Sequence, residues 1–275
     1  PDRVVVGAET EMARDVMRAL YRPLFLIETP ILFTNLETSE LIKYASNAFL
    51  AIKISYINQM ADLCEVVGAN VHDVAKGIGL DKRIGGKFLY PGLGYGGSCF
   101  PKDTRACIAM GEAKGVSTPV SQAVNDVNLL QRTRFFAKIS TQFGEDLRGL
   151  KLAFWGIAFK PNTDDIREAP AITLMEHCQN AGATCVAFDP VASENCALQH
   201  PGLCALVGNM YDAVEGSDAV VVSTDWDEFK SPDFGRMKSL MRTPVVFDGR
   251  NLYSTATARS HGLVLHSVGR QPVNV

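Results

Sequence analysis

The chain lacks a charge excess of either sign, a long apolar run and any regular set of cysteine pairs, and each absence removes a class of function. Lys and Arg number 27 against 30 Asp and Glu, a net charge of −3. Without a long basic run, the sequence offers no electrostatic footprint for nucleic acid or an anionic membrane surface. Apolar stretches are broken by Lys, Asn or Asp before reaching the ~20 residues that a bilayer-spanning helix needs, and no secretory apolar segment opens the chain. Seven cysteines, at 64, 99, 107, 178, 185, 196 and 204, are scattered and odd in number. That is not a disulfide framework, and no C-x-x-C pair suggests zinc, so no metal is expected. A reducing cytoplasm is the natural compartment. Repeats, low-complexity tracts and the HExxH, P-loop and nucleophile-elbow patterns are missing too. What is present is 275 residues, 47% hydrophobic and 21% charged, enough core for one large or two ordinary domains.

No proline or glycine falls between Asn35 and Val67. This stretch predicts a helix of roughly 50 Å, opened by a capping box between Thr34 and Glu37 and stopped by Gly68. Leu41, Ala45, Phe49, Ile52, Tyr56, Met60 and Leu63 cover more than one of its faces, as expected of a helix buried between domains or between subunits. Lys43 and Asn47, four residues apart, share a face; periodicity alone favours a solvated polar stripe over a pair aimed at a ligand. Asn70 caps a short helix reaching Lys76, and helices are expected over 102–114 and from Pro119 to Phe143. Residues 34–144 are thus nearly all helix around one loop.

That loop, Tyr90–Asp103, has glycines at 92, 94, 96 and 97. Such a backbone can approach a ligand closely and offer N–H groups to an anion. It delivers Ser98 and Cys99 to a helix start, with Pro101 at an early helical position. There the helix dipole and Lys102 favour a nucleophilic thiolate, and Asp103 is near enough to assist proton transfer. A small buried cysteine is an equally good reading of Cys99 taken alone. Gly92, Gly94 and Gly97 match the spacing of a dinucleotide turn, but Pro91 and flanking helices replace the strand that this turn requires.

From Gly149 onward short apolar strands alternate with helices: strands at 151–156, 184–188, near 204, 219–223, 245–248 and 263–267, and helices at 169–181, in the 190s, at 210–215 and at 233–241. This pattern predicts a doubly wound parallel sheet of α/β class, with ligands beyond the carboxyl ends of the strands. Lys160–Arg167, Asp189-Pro190 and Asp248–Asn251 fall there. The first turn, Gly156–Lys160, lacks the triple glycine of a dinucleotide site. At the other end, Arg3–Gly7 and Phe25–Ile27 read as short strands around a helix over 10–20. A lone strand so close to Pro1 suggests that something upstream is absent.

Five segments in chain order, Glu40–Phe49, Asp81–Gly85, Gly94–Asp103, Trp155–Glu168 and Asp248–Asn251, resemble the nucleotide-sugar 6-dehydrogenases of the UDP-glucose/GDP-mannose dehydrogenase family. The resemblance implies a remnant of an N-terminal NAD-binding domain over 1–33, a helical central dimerisation domain over 34–146, and a Rossmann-like UDP-sugar-binding domain over 147–275. It implies NAD as cofactor, UDP-glucose as substrate, and a homodimer through the long helix. Cys99 would be the nucleophile of a two-step oxidation, passing through a thiohemiacetal and a thioester, with Lys43, Asn47 and Asp103 as its other catalytic residues. Tyr90, Gly92, Gly94, Lys160 and Arg250 would bind the nucleotide sugar, and Arg83 would reach a neighbouring subunit's substrate. Arg167 and Lys102 would meet NAD. The tail Phe100–Asp103 looks like the UDP-glucose branch; the GDP-mannose branch usually has leucine where Phe100 stands. The N-terminal threonine and glutamates that the family brings to the reaction have no match, so the chain alone is expected to be inactive.

Overall fold

A computed structural model describes residues 2–25 and 29–274. Strand β1 (Val4–Gly7) pairs in parallel with β2 (Ile31–Thr34), and between them lie α1 (Glu11–Leu20) and α2 (Arg22–Phe25). The strand expected over 25–27 does not form as read: Phe25 ends a short helix, 26–27 lie outside the described residues, and the strand begins at Ile31.

Four helices follow: α3 (Leu36–Val67), α4 (Val71–Gly79), α5 (Cys99–Ala113) and α6 (Pro119–Phe143). Helix α3 has 32 residues, and Gly68 ends it at φ 77°, in the left-handed region that glycine enters without a Cβ penalty. Its N-cap corrects the sequence reading. Asn35, not Thr34, accepts the Thr38 N–H at 3.0 Å, while Thr34 lies in β2 and its hydroxyl donates to the Asn35 carbonyl. Asn is as good a cap as Thr, and the strand extends one residue too far for Thr34 to serve. Asn70 caps α4 as expected, but the helix runs through Gly77 to Gly79, since a helix tolerates single glycines at a modest cost.

The remaining elements are β3 (Lys151–Trp155), α7 (Pro170–Asn180), β4 (Thr184–Phe188), α8 (Ser193–Gln199), β5 (Ala205–Leu206), α9 (Met210–Val214), β6 (Ala219–Val222), α10 (Asp227–Lys230), α11 (Phe234–Leu240), β7 (Val245–Asp248), α12 (Thr255–His261) and β8 (Val264–Ser267). All pairings in this six-stranded sheet are parallel, in the order β5-β4-β3-β6-β7-β8. The order reverses between β3 and β6, so the crevice for a ligand lies outside their carboxyl ends. Short helices α10 and α12, absent from the sequence reading, have no apolar period long enough to announce them.

The α/β sheet and the helices share one core. Ile57 and Ala61 of α3 and Phe135 and Ile139 of α6 pack with Leu152, Phe154 and Phe247 of the sheet, all at most 1% exposed. The helices therefore fix the position of the crevice relative to the loop carrying Cys99.

Candidate active site

Residues 91–97 are all buried, and side chains from α3 and α6 hold their backbone. Asn58 accepts the Gly92 N–H at 2.8 Å, and Gln131 donates to the Gly92 carbonyl at 2.8 Å. Asn128 accepts the Tyr95 N–H at 2.8 Å and donates to the Tyr95 carbonyl at 3.1 Å, as a neighbouring strand would. The Gly97 N–H donates to the Arg167 carbonyl at 2.7 Å. The amides at 92, 95 and 97 are thus committed to protein and are not open to an anion. Close packing against protein is what requires the glycines. A Cβ on Gly94 would lie 2.5 Å from Asn128 Oδ1, one on Gly96 would collide with the Glu168 carbonyl, and one on Gly97 would lie 2.7 Å from the Phe159 ring.

Out of this tight turn the chain passes Ser98, already helical at φ −83° and ψ −30° with no side-chain cap. Helix α5 starts at Cys99, three residues before the expected Lys102, so the thiol stands on the first helical residue. There the backbone N–H groups have no intrahelical partner and the dipole is positive. Cys99 is exposed, which removes the alternative of a buried structural thiol. Ser98 Oγ lies 3.8 Å from its sulfur, and Lys102 and Arg167 are both within electrostatic reach of it.

One turn along α5, Asp103 is fully buried, with 0% of its side chain exposed. Asn47 donates to it at 2.6 Å, Lys102 forms an ion pair with it, and Lys43 lies at 3.5 Å. Burial pushes the Asp103 carboxyl up, but the hydrogen bonds from Lys102 and Asn47 and the charges of Lys43 and Lys102 outweigh it and hold it below the usual carboxylate range. The hydrogen bond to Asp103 in turn raises Lys102. Lys43 and Asn47 therefore converge on a buried carboxylate and are not a solvated stripe. Beside them opens a cavity of about 560 Å³, lined by Arg3, Ser39, Glu40, Lys43, Ser46 and Asn47.

Across the seam lies the crevice of the sheet. Arg250, after β7, donates from Nε to the Ser223 carbonyl at 2.6 Å and from Nη2 to the Phe159 carbonyl at 2.9 Å. It bridges the ends of β6 and β3 at the point where strand order reverses. Burial lowers its pKa, opposed by the charges of Asp225 and Asp248. Lys160 is exposed, its ammonium 5.4 Å from the Phe159 ring centroid. Tyr90 is exposed at the mouth of the loop, whereas Gly92 and Gly94 are buried with protein around them. Arg83 is not brought to this group. Its side chain is 89% exposed and forks onto Asp81. Arg167 pairs likewise with Asp165 at 2.7 Å.

The fit of a dinucleotide to these residues is partial. In the first turn of the sheet, the amides of Ile157 and Ala158 donate to Asp189 at 2.7 and 3.0 Å, and Trp226 Nε1 reaches the same oxygen at 3.2 Å. The carboxylate stands where a dinucleotide fold takes a pyrophosphate, so that turn is filled from within. The exposed cations Lys102 and Arg167 beside Cys99 do suit phosphates.

Asn58, Asn128, Gln131 and Arg132 escaped the sequence reading, and Asp189, read there as lying at a strand's carboxyl end, serves instead as the acceptor for the first turn's amides. For the three on α6 a signal was present, since Val124, Asn128, Gln131, Arg132, Phe135 and Ile139 fall at helical spacing on one buried face. Three adjacent polar residues in an apolar stripe mark backbone that needs partners.

Two family models match the chain: the central domain of the UDP-glucose/GDP-mannose dehydrogenase family over residues 37–129, and its UDP binding domain over 153–255. The chain belongs to this family. It is 48% identical over 273 residues to the UDP-glucose 6-dehydrogenase of Rhizobium meliloti (strain 1021), covering 98% of this chain and 62% of that protein. It is 42% identical to the UDP-glucose 6-dehydrogenase of Pseudomonas aeruginosa, with 98% and 61% covered. Among solved structures, a UDP-glucose dehydrogenase from the hyperthermophilic archaeon Pyrobaculum islandicum superposes with a TM-score of 0.88 at 34% identity, over 98% of this chain and 59% of that one. The chain thus spans about three fifths of the length of the relatives it matches. The glycine loop lies in the central-domain match, and the crevice with Lys160 and Arg250 in the UDP-binding match. No helix among the described residues is long and apolar enough to cross a membrane.

Proposed function

We propose that these residues form the substrate-binding and nucleophile part of a UDP-glucose 6-dehydrogenase, acting in the cytoplasm on UDP-glucose to give UDP-glucuronate. The observation that carries the reading is the convergence of Lys43, Asn47 and Lys102 on buried Asp103, one turn from an exposed thiol at a helix start. A thiol so placed is built to capture an electrophilic carbonyl. Its fixed cations and amide donor suit an oxyanion.

NAD, when bound, supplies the two oxidations. Cys99 Sγ bonds to the C6 carbon at the aldehyde level, the thiol proton passing to oxygen, and holds it as a thiohemiacetal. At the next oxidation level the same carbon–sulfur bond is a thioester, which water cleaves to release the carboxylate and restore the thiol. Holding the aldehyde covalently prevents its escape and divides a hard oxidation into two steps. Lys43 and Asn47 stabilise the oxygen as it gains charge, and Asp103 orients the water and handles its proton. Lys160 and Arg250 hold the UDP diphosphate in the crevice, with Tyr90 and the loop through Gly92 and Gly94 closing its edge. Arg167 and Lys102 pair with NAD phosphates, and Arg83 serves a neighbouring subunit's substrate. Helix α3 joins two copies as a homodimer, and the domains divide at 33 and 146. Hydride transfer falls to the part of the relatives' length that this chain does not span, so the chain alone is inactive by this reading.

A second reading keeps the chemistry and changes the sugar nucleotide to GDP-mannose or a UDP-N-acetyl-hexosamine. Phe100 separated these branches in the sequence, yet its ring packs edge-on against Phe88 and Tyr95, at 6.1 and 5.7 Å between centroids. Its identity therefore speaks for loop packing more than for sugar choice. Calorimetric titration separates the readings. UDP-glucose is expected to bind with GDP-mannose silent, and Lys160→Ala to weaken binding about tenfold, a charge-assisted contact being worth roughly 1.5 kcal/mol. Selective binding of GDP-mannose would sink the UDP-glucose reading.

A further inference from the structure

We infer that Arg132 is a positioning residue for Cys99, acting through two carbonyls on opposite sides of the seam between the helices and the α/β sheet. This rests on the reading of Cys99 as nucleophile, but the geometry stands without it. Arg132 lies on α6 and is 5% exposed. Its Nη2 donates to the Tyr95 carbonyl at 3.2 Å in the glycine loop, and to the Glu168 carbonyl at 2.9 Å in the segment after β3. Nη1 donates to Thr173 Oγ1 at 3.1 Å on α7, and Nε has no partner.

No carboxylate takes a hydrogen bond from this guanidinium, and burial lowers its pKa. A buried cation held only by carbonyls and a hydroxyl is a poor way to add stability. It is a good way to fix two backbones at one distance, because the planar fork presents several donors in rigid geometry. What lies between those backbones is the turn that launches α5. Gly96 and Gly97 have no room for a Cβ against Glu168 and Phe159, and the Gly97 N–H is spent on the Arg167 carbonyl. Glu168 itself is held at φ 52°, a conformation that a non-glycine residue keeps only when its surroundings impose it. Arg105 adds a second clamp on Glu168 at 3.1 Å. The carbonyl that Arg132 grips thus belongs to the strained residue against which the nucleophile turn is packed. The same grip sets where Arg167 stands relative to the thiol.

The test reads the field at the thiol and not merely its accessibility. Alkylation of Cys99 by iodoacetate, an anion, is compared with alkylation by neutral iodoacetamide, each followed by peptide mass spectrometry, with glutathione as the free-thiol reference. In this chain the ratio at Cys99 is expected to exceed that of glutathione severalfold, since Lys102, Arg167 and the helix start attract the anion. Arg132→Met is expected to bring the ratio at Cys99 back to within twofold of glutathione, while Cys107, two turns along the same helix, keeps its rates. Thr173→Ala, which removes a single anchor, and Arg132→Lys, which cannot fork, are expected to fall between. A purely structural role would raise alkylation of all the cysteines together, in step with a lower melting temperature, and would leave the ratio alone. An unchanged ratio in Arg132→Lys and Thr173→Ala overturns the inference, even if Arg132→Met does not fold. Selective binding of GDP-mannose in place of UDP-glucose would overturn the substrate reading and leave this one standing.

Discussion

At the scale of single residues, the site is a problem of burying charge. Asp103 is fully enclosed, and the two lysines that neutralise it keep more than half of their side chains in solvent. Their contribution is screened, so the hydrogen bond from Asn47, itself to a charged acceptor, carries much of the stabilisation. Asn47→Ala is expected to cost about 2 kcal/mol at pH 7, the usual worth of a hydrogen bond to a charged group, measured by urea denaturation. The sign with pH follows from the depressed carboxyl. Asp103 contributes stability above its unfolded pKa, and this is lost as pH falls through the lower folded value. The penalty of Asn47→Ala should therefore shrink in melts taken at successively lower pH; a constant penalty would mean that the amide acts by packing alone. Cys99 and its neighbours were legible in the sequence because thiol, lysine and aspartate sit within five residues. Arg132 and the amides of Asn58, Asn128 and Gln131 were not, because their partners are backbone atoms more than thirty residues away.

At the scale of elements, most boundaries could be read from glycine and proline. Gly68, Gly115 and Gly144 end helices, and Pro119 and Pro170 begin them. Two of the errors share a cause, which is that tertiary pairing moved an end. Strand β2 takes Thr34 into a ladder and hands the cap of α3 to Asn35, and the packed turn at Gly96 and Gly97 starts α5 at Cys99. Asn35→Ala should accordingly destabilise by about 1 kcal/mol, and Thr34→Val by less than half of that, in thermal or urea unfolding. The reverse ranking would restore the capping box. Burial on both faces also explains why the α/β half was easier to read than the first 33 residues. Strands buried on both faces give continuous apolar runs, whereas β1 and β2 are mostly half-buried.

At the scale of the whole molecule, α3 keeps a broad apolar face uncovered. Phe49 is 60% exposed, Tyr56 49% and Leu63 52%. Next to them a largely apolar groove of about 320 Å³ is lined by Ile52, Tyr56, Val120, Ala123, Val124 and Val127. Large apolar patches of this kind mark association surfaces, and a second copy is the occupant that the proposed function requires. Phe49→Asp is expected to convert a dimer to a monomer in analytical ultracentrifugation with the circular dichroism unchanged; a monomeric parent chain would remove this part of the proposal. The sequence showed the length of α3 and its many apolar faces, but not which of them the protein itself would cover, because that depends on where α5 and α6 pack.

The seam between the glycine loop and the segment after β3 has a further consequence, for what the chain is free to change. At Gly96 the loop meets the main chain of Glu168 with no side-chain volume between them, and one residue on, the Gly97 N–H bonds the Arg167 carbonyl directly. Most contacts in a protein can drift because a lost methyl on one side is offset by a gained one on the other. Here there is nothing to trade. The surfaces of both halves can diverge widely while the spacing from thiol to the crevice beyond β3 and β6 stays constant, since it is set by main-chain thickness, a length common to all sequences.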